Sequence, residues 1–407
     1  MEARSGKGDR PPGMRPQFAI VWISFQDIAQ KNNSLTILCP CVPEPATSRR
    51  ALPYNPAMPH LDLLLPFSLP SQDLAADLLR ALRLPSFALL AARAKAGKLQ
   101  VGDGFARALP HEAWLAERFS LQAGLDQGGS PPVAPAAMAA RGLEAGQGRW
   151  FVLQPAHLHV ARDHLVLTDQ RQLALDEHES RALFDSAQAL LADVGVPLLY
   201  GDARTWFLRA ADWRGLQTST MDAACGHNID IWMPKGPDER AWRKLQNEIQ
   251  MEWHAHPVNE ARAARDVKPV NSVWLWGGGE AGSDRPASGY SHAWGLGGWA
   301  SALAASVPAS SVQPDAAGVI GAAPTRGLLM LDTLTAPALA GDWSAWLDAW
   351  HAIEADWLAP LLAALQAGKL DTLALVLGDG TRLLDLAASR GSLRKFWVQP
   401  SLSRLVP

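Results

Sequence analysis

RAWRKLQNEIQMEWHAHPVNEARAARD (residues 240–266) and KPVNSVWLWGGGEAG (residues 268–282) predict, in order, a helix, a shorter helix, a buried strand and a glycine turn. Pro237 suits a first helical position, and Asp238 and Glu239 suit the positive end of the helix that follows. Trp242, Leu245, Ile249 and Trp253 recur at helical spacing and define one buried face. Arg243, Asn247, Gln250 and His254 define a second, polar face. Pro257 ends this helix near His256, and Asn259 stands where it can cap the next. Residues 273–276 are a continuous apolar run, the mark of a buried strand. Gly277, Gly278 and Gly279 then allow the backbone to turn or to approach a ligand closely.

Working outward, residues 61–65 are another apolar run, stopped by Pro66, and helical spacing follows over 73–84 and 85–94. Strand, loop, helix is how an α/β core begins. Residues 127–137 (QGGSPPVAPAA) have loop composition. Residues 150–167 predict strand pieces. Asp176 and Glu179 predict a capping box for a helix that runs to about residue 193 and stops at Gly195. Two short strands, 197–200 and 205–208, flank a turn at Gly201-Asp202. Residues 280–325 show weak periodicity. Beyond them lie a strand at 328–331, a long helix at 342–366 kinked by Pro360 and stopped by Gly368, and a buried strand at 372–377.

The 407 residues, 48% hydrophobic and 19% charged, describe a globular chain long enough for two cores. A net charge of -3 with no basic stripe argues against nucleic-acid binding. Three cysteines build no disulfide framework, so a cytoplasmic setting is the expectation. No apolar run approaches the roughly 20 residues that span a bilayer. The 17 tryptophans either fill the core among many alanines or line an aromatic pocket. Residues 1–57, with Pro/Arg/Gly punctuation and Cys39-Pro-Cys41, are expected to be a disordered or mis-started extension, with Met58 as the true start.

Several groups carry potential chemistry. His254-x-His256 can bind metal on a strand, but at a helix end residues two apart diverge. Asp222, Cys225, His227 and Asp230 crowd one polar loop, which mixed metal ligands or ordinary loop caps would explain. The triple glycine lacks the Gly-Lys-Ser/Thr of a P-loop and the Gly-x-Gly-x-x-Gly of a dinucleotide fold. Arg262 and Arg265 can pair with an anion. Lys244 and Glu248 suit a surface ion pair.

HPVNEARAARDVKPVNSVWLWGGGEAG (residues 256–282) resembles a segment of the archaeal-type, cofactor-independent phosphoglycerate mutases. LDLLLPFSLP (61–70) resembles that family's first strand and LPSFALLAARA (84–94) the helix after it. Residues 331–362 resemble its late helix, and LALVLGDGTRLL (373–384) its last core strand. More closely, residues 58–407 resemble a bacterial family of RpfE-type regulatory proteins. The resemblance implies an α/β fold with an alkaline-phosphatase-like core sheet flanked by helices. That core would comprise 58–145 and 236–407, with an α+β subdomain inserted at 146–235.

The mutase chemistry requires two metal ions held by Asp and His, and a Ser nucleophile. Where that family's first strand ends Pro-Asp-Gly, this chain has Pro66-Phe67-Ser68; where its last ends Asp-His, this chain has Asp379-Gly380. No nucleophile segment lies between Ala94 and Arg149, and the Asp-x-Asp-Pro-His element is echoed loosely by Asp222, His227 and Asp230. The expectation is a scaffold without its metal centre, cofactor or catalytic residues. Asn247, His254, His256, Asn259, Arg262, Asn271, Gly277, Gly278 and Gly279 would bind a phosphorylated small molecule, or the protein would meet a regulatory protein partner. The rival expectations are an active mutase or phosphohydrolase with ligands drawn from His157, His159, Asp222, His227, His254 and His256, and a partner-binding scaffold with no small ligand.

Overall fold

The computed structural model describes residues 59–102, 104–282 and 284–406. The Cys39-Pro-Cys41 motif, Met58 and the expected 1–57 extension lie outside the described residues.

Thirteen strands are found among the described residues. In chain order they are β1 (His60–Leu65), β2 (Lys95–Val101), β3 (Arg149–Ala156), β4 (Leu158–Ala161), β5 (His164–Leu167), β6 (Leu198–Asp202) and β7 (Thr205–Arg209). There follow β8 (Ser272–Glu280), β9 (His292–Trp294), β10 (Ala309–Ser311), β11 (Gly327–Met330), β12 (Thr372–Gly378) and β13 (Arg382–Ser389). The larger sheet has the order β10-β9-β11-β1-β12-β13-β2. Its strands from β10 to β12 are parallel, and β13 and β2 complete it antiparallel. Leu61, Leu63, Leu64 and Leu65 of β1 are fully buried, as the apolar run predicts for a central parallel strand. Helices cover this sheet, so the α/β class expected from the sequence is the one observed.

A second sheet, β6-β7-β3-β8, is antiparallel. Residues 236–407 are expected to continue the core begun by 58–145. Their strand β8 instead pairs with β3 along Ser272↔Ala156 to Glu280↔Arg149. Both faces of this sheet are covered. Val273 and Leu275 enter a core with Trp242, Leu245, Ile249 and Trp253, while Trp274 and Trp276 enter the core of the larger sheet. Burial on both sides explains why β8 has no polar alternation. Most of the tryptophans are buried, and Trp206, Trp242, Trp253, Trp274, Trp276, Trp346 and Trp350 are among the largest fully buried side chains. This favours packing over an aromatic pocket.

The helix Glu239–His254 begins two residues after Pro237 and buries the predicted face. His256, not Asn259, caps the following helix Pro257–Ala264: its Nδ1 accepts the Val258 N–H at 3.2 Å. Gly277–Gly279 do not form a turn. They continue β8, because Cβ-free residues are needed where the strand passes Phe151 and the 130–135 segment. Gly201 and Asp202 likewise belong to β6. The capping box at Asp176 is half formed: its carboxylate accepts the Glu179 N–H, while the Glu179 side chain is drawn away to Arg262 and Arg265. The predicted long helix runs as Trp343–Ile353, a π turn Glu354–Leu358 and Ala359–Ala367. The wide turn falls where the Pro360 ring would otherwise meet the preceding carbonyls. Strands β2 and β13 and the elements within 280–325 carried too little periodicity to be predicted.

Candidate functional site

In parallel α/β sheets, ligands gather beyond the carboxyl ends of the strands. Here β11, β1 and β12 are adjacent, and past their ends come Asp332, Phe67-Ser68 and Asp379. Phe67 adopts a left-handed backbone with φ of 54°. Its carbonyl accepts the Trp346 Nε1–H at 2.8 Å. Ser68, fully buried, donates to the Leu65 carbonyl at 2.7 Å and accepts the Gly378 N–H at 3.2 Å.

Asp379 is fully engaged. Its Oδ1 accepts the N–H groups of Thr381 and Arg382 at 2.8 and 2.6 Å, and its Oδ2 accepts Arg382 Nε–H at 2.7 Å. Arg382 is itself buried and also donates to the Pro70 carbonyl at 2.9 Å. A guanidinium thus neutralises the one aspartate at the end of β12.

Across from Phe67 stands His111, fully buried and edge-on to the phenyl ring at 6.0 Å. Burial, with the nearby Arg171 charge, pushes its pKa down to about 3, so the ring is neutral. Glu112 beside it is also buried. Its Oε2 accepts from Thr220 Oγ1 at 2.6 Å and from the Leu109 N–H at 2.7 Å. Burial first, then the negative charge of Asp222, raises its pKa to about 8.

Asp222 lies in the first turn of the short helix Met221–Ala224 and receives both terminal nitrogens of Arg171, at 2.9 and 3.2 Å. Arg171 also donates through Nε to Asp169 at 3.1 Å. Burial raises the Asp222 pKa against the pull of Arg171, and the charges of Asp169 and Asp332 add to the rise. Burial also pushes the Cys225 thiol up to about 12, so it is no nucleophile at neutral pH. His227 leaves this group and stacks on Trp232 at 4.9 Å; Asp230 is exposed. Arg171 and Glu112 were missed from sequence, since nothing in local spacing links residues 112, 171 and 222.

Of the residues expected to bind a ligand, Asn247 and His254 lie exposed on the solvent side of their helix. Asn259, buried, donates to the carbonyls of Trp253 and Val270 at 2.9 and 2.8 Å and accepts the Val270 N–H at 2.8 Å. Arg262, 1% exposed, pairs with Glu179 and donates to the carbonyls of Leu173 and Lys268. Asn271 grips both backbone groups of Leu158 at 2.8 Å. His256 is occupied as a cap. These polar groups fasten one segment to another and do not converge on a common space. His157 and His159 stack at 6.0 Å, and His157 Nδ1 meets the Pro269 carbonyl at 2.8 Å.

A two-metal centre does not fit these donors. The carboxylates of Asp379, Asp169 and Asp222 already face guanidinium groups. Among the described residues, no three of His, Cys, Asp and Glu are arranged to hold a metal ion. No helix among the described residues is long and apolar enough to cross a membrane.

No family model matches the chain. The 2,3-bisphosphoglycerate-independent phosphoglycerate mutase of Methanosarcina mazei is 26% identical over 124 residues, 30% of this chain and 31% of that protein. A probable enzyme of the same name from Geobacter sulfurreducens is 27% identical over 152 residues, 36% of this chain and 37% of that protein. The chain thus spans about a third of the length of the relatives it matches. Among solved structures, the cofactor-independent phosphoglycerate mutase of Thermoplasma acidophilum superposes with a TM-score of 0.36 and 14% identity, covering 86% of this chain and 94% of that one. A Pyrococcus horikoshii protein superposes with a TM-score of 0.45 and 14% identity, covering 82% and 87%. The chain is therefore similar in sequence to cofactor-independent phosphoglycerate mutases over a limited segment.

Proposed function

We propose that this chain is a non-catalytic regulatory or ligand-binding protein on a phosphoglycerate-mutase-like, alkaline-phosphatase-like scaffold. Arginine neutralisation of the carboxylates carries the reading. Arg382 answers Asp379, and Arg171 answers Asp169 and Asp222. A guanidinium supplies the positive charge that a divalent ion would, but it offers no open coordination position and activates no nucleophile. The resemblance to RpfE-type regulatory proteins supports this reading, which would place the protein in the cytoplasm with a regulatory protein or a phosphorylated small molecule as partner. On this reading the inserted subdomain begins near residue 146 and extends through β8.

The sequence similarity to named mutases favours a second reading, an active phosphoglycerate mutase or phosphohydrolase with rewired ligands. Incubating the full chain with 3-phosphoglycerate and manganese separates the two. The expected result is no 2-phosphoglycerate above the protein-free control. Turnover that is abolished by Asp222→Asn would establish the second reading.

A further inference from the structure

A separate cavity of about 150 Å³ opens where β3, the end of β8 and the loops at 124–130 and 214–218 meet. Its lining includes Gln127, Ser130, Arg149, Arg214, Gln217 and Gly278. We propose that this cavity binds a single small oxyanion, inorganic phosphate or the phosphoryl end of a metabolite.

Two guanidinium groups from distant parts of the chain line one small space. Arg149 donates through Nη2 to the Gly278 carbonyl at 2.9 Å, which anchors the side chain. Its Nε is buried and has no hydrogen-bond acceptor. Leaving a buried charged donor unmet is costly, and an anionic oxygen in the cavity would meet it. The side-chain amide of Gln217 is held in the wall by the Gln127 carbonyl at 2.7 Å, and Ser130 by Thr218 Oγ1 at 2.8 Å. Two carboxylates lie near. Glu280 meets Arg214 at 3.5 Å, and Asp284 accepts the Glu280 N–H at 2.7 Å. Neither lines the cavity. Arg214 is 77% exposed along its side chain, so it can turn from Glu280 to a ligand. The volume equals about five waters, at roughly 30 Å³ each. That suits a phosphate-sized group and is below the roughly 300 Å³ at which pockets for larger ligands begin.

This deepens the ligand-binding part of the reading above by naming a place and a ligand class. Binding at the cavity is measured directly, so it stands or falls apart from the mutase assay. The test is calorimetric titration of the full chain with inorganic phosphate at fixed ionic strength, beside Arg149→Gln, Arg214→Gln and the surface control Arg181→Gln. One site per chain is expected, weakened about tenfold or more by either cavity variant and unchanged in the control. Arg214→Gln is the decisive variant, because its exposed side chain has no part in the core. Glycerol phosphate binding more tightly than phosphate would identify a phosphoryl ester as the ligand, and weaker binding would identify the free ion. No saturable phosphate binding, equal binding of acetate, or wild-type affinity in Arg214→Gln would overturn the proposal.

Discussion

Arg382 and Asp379 form a closed pair at the end of β12, with Nε to Oδ2 at 2.7 Å and side chains only 7% and 16% exposed. The pair also holds the turn into β13, since Oδ1 accepts two backbone N–H groups. Removing one partner of such a pair leaves the other charged and buried. Asp379→Ala is expected to lose about 3–5 kcal/mol in urea denaturation. Asp379→Asn keeps an acceptor for the turn and should lose less. Equal losses for the two would show that the charge, not the turn, is what Asp379 supplies.

Glu112 and His111 set opposite pH dependences. Neutral in the fold down to about pH 3, His111 gives stability that is complete above its unfolded pKa of about 6.5 and is lost as pH falls. Glu112, with its pKa raised to about 8, has the reverse sign. Its contribution is complete below its unfolded pKa of about 4.3 and is lost as pH rises to about 8. The two oppose each other up to about pH 6.5, and above that only Glu112 acts. Stability of the wild type should fall between about pH 6.5 and 8, by at most about 1.4 kcal/mol per pH unit. Glu112→Gln should flatten this limb. A slope unchanged in the variant would assign the titration to another group.

What the sequence shows of this molecule follows how local each feature is. β1 and β12 were legible because central parallel strands are apolar throughout. The buried face of the helix Glu239–His254 was legible because four large residues keep one period. β2 was not, since all seven of its residues are exposed at the sheet edge and carry no pattern. β8 was legible as a buried strand but its pairing with β3 was not, because an apolar strand does not encode its partner. The polar residues around it stand out in the sequence by their density, yet most bond to distant backbone. The Arg171 cluster joins three separated segments, and only the tertiary fold reveals it.

Arg262 illustrates the difference between a ligand contact and a fastening. It is buried with Glu179, whose other oxygen meets Arg265, and it reaches two carbonyls besides. Arg262→Ala leaves Glu179 and those carbonyls short of donors, and about 3–5 kcal/mol of stability should go with it. Phosphate affinity at the cavity near Arg149 should stay at the wild-type value. A variant of normal stability with altered phosphate binding would return Arg262 to the ligand site.

Gly278 is a glycine because Phe151 leaves no room for anything larger. A Cβ built there would lie 2.3 Å from Cε1 of that ring, and the ring is fully buried with its place fixed by the second core. Gly278 has no left-handed backbone requirement, so the conflict is one of packing alone. Gly278→Ala should cost about 1–3 kcal/mol or more, as overpacked cores do. If the ring is the cause, Phe151→Leu in the same chain should recover part of the loss, even though Phe151→Leu alone destabilises. Residues in direct contact show coupling of about 0.5–3 kcal/mol in such double-mutant cycles. Purely additive losses would mean that the backbone of β8, not the phenyl ring, rejects the methyl group.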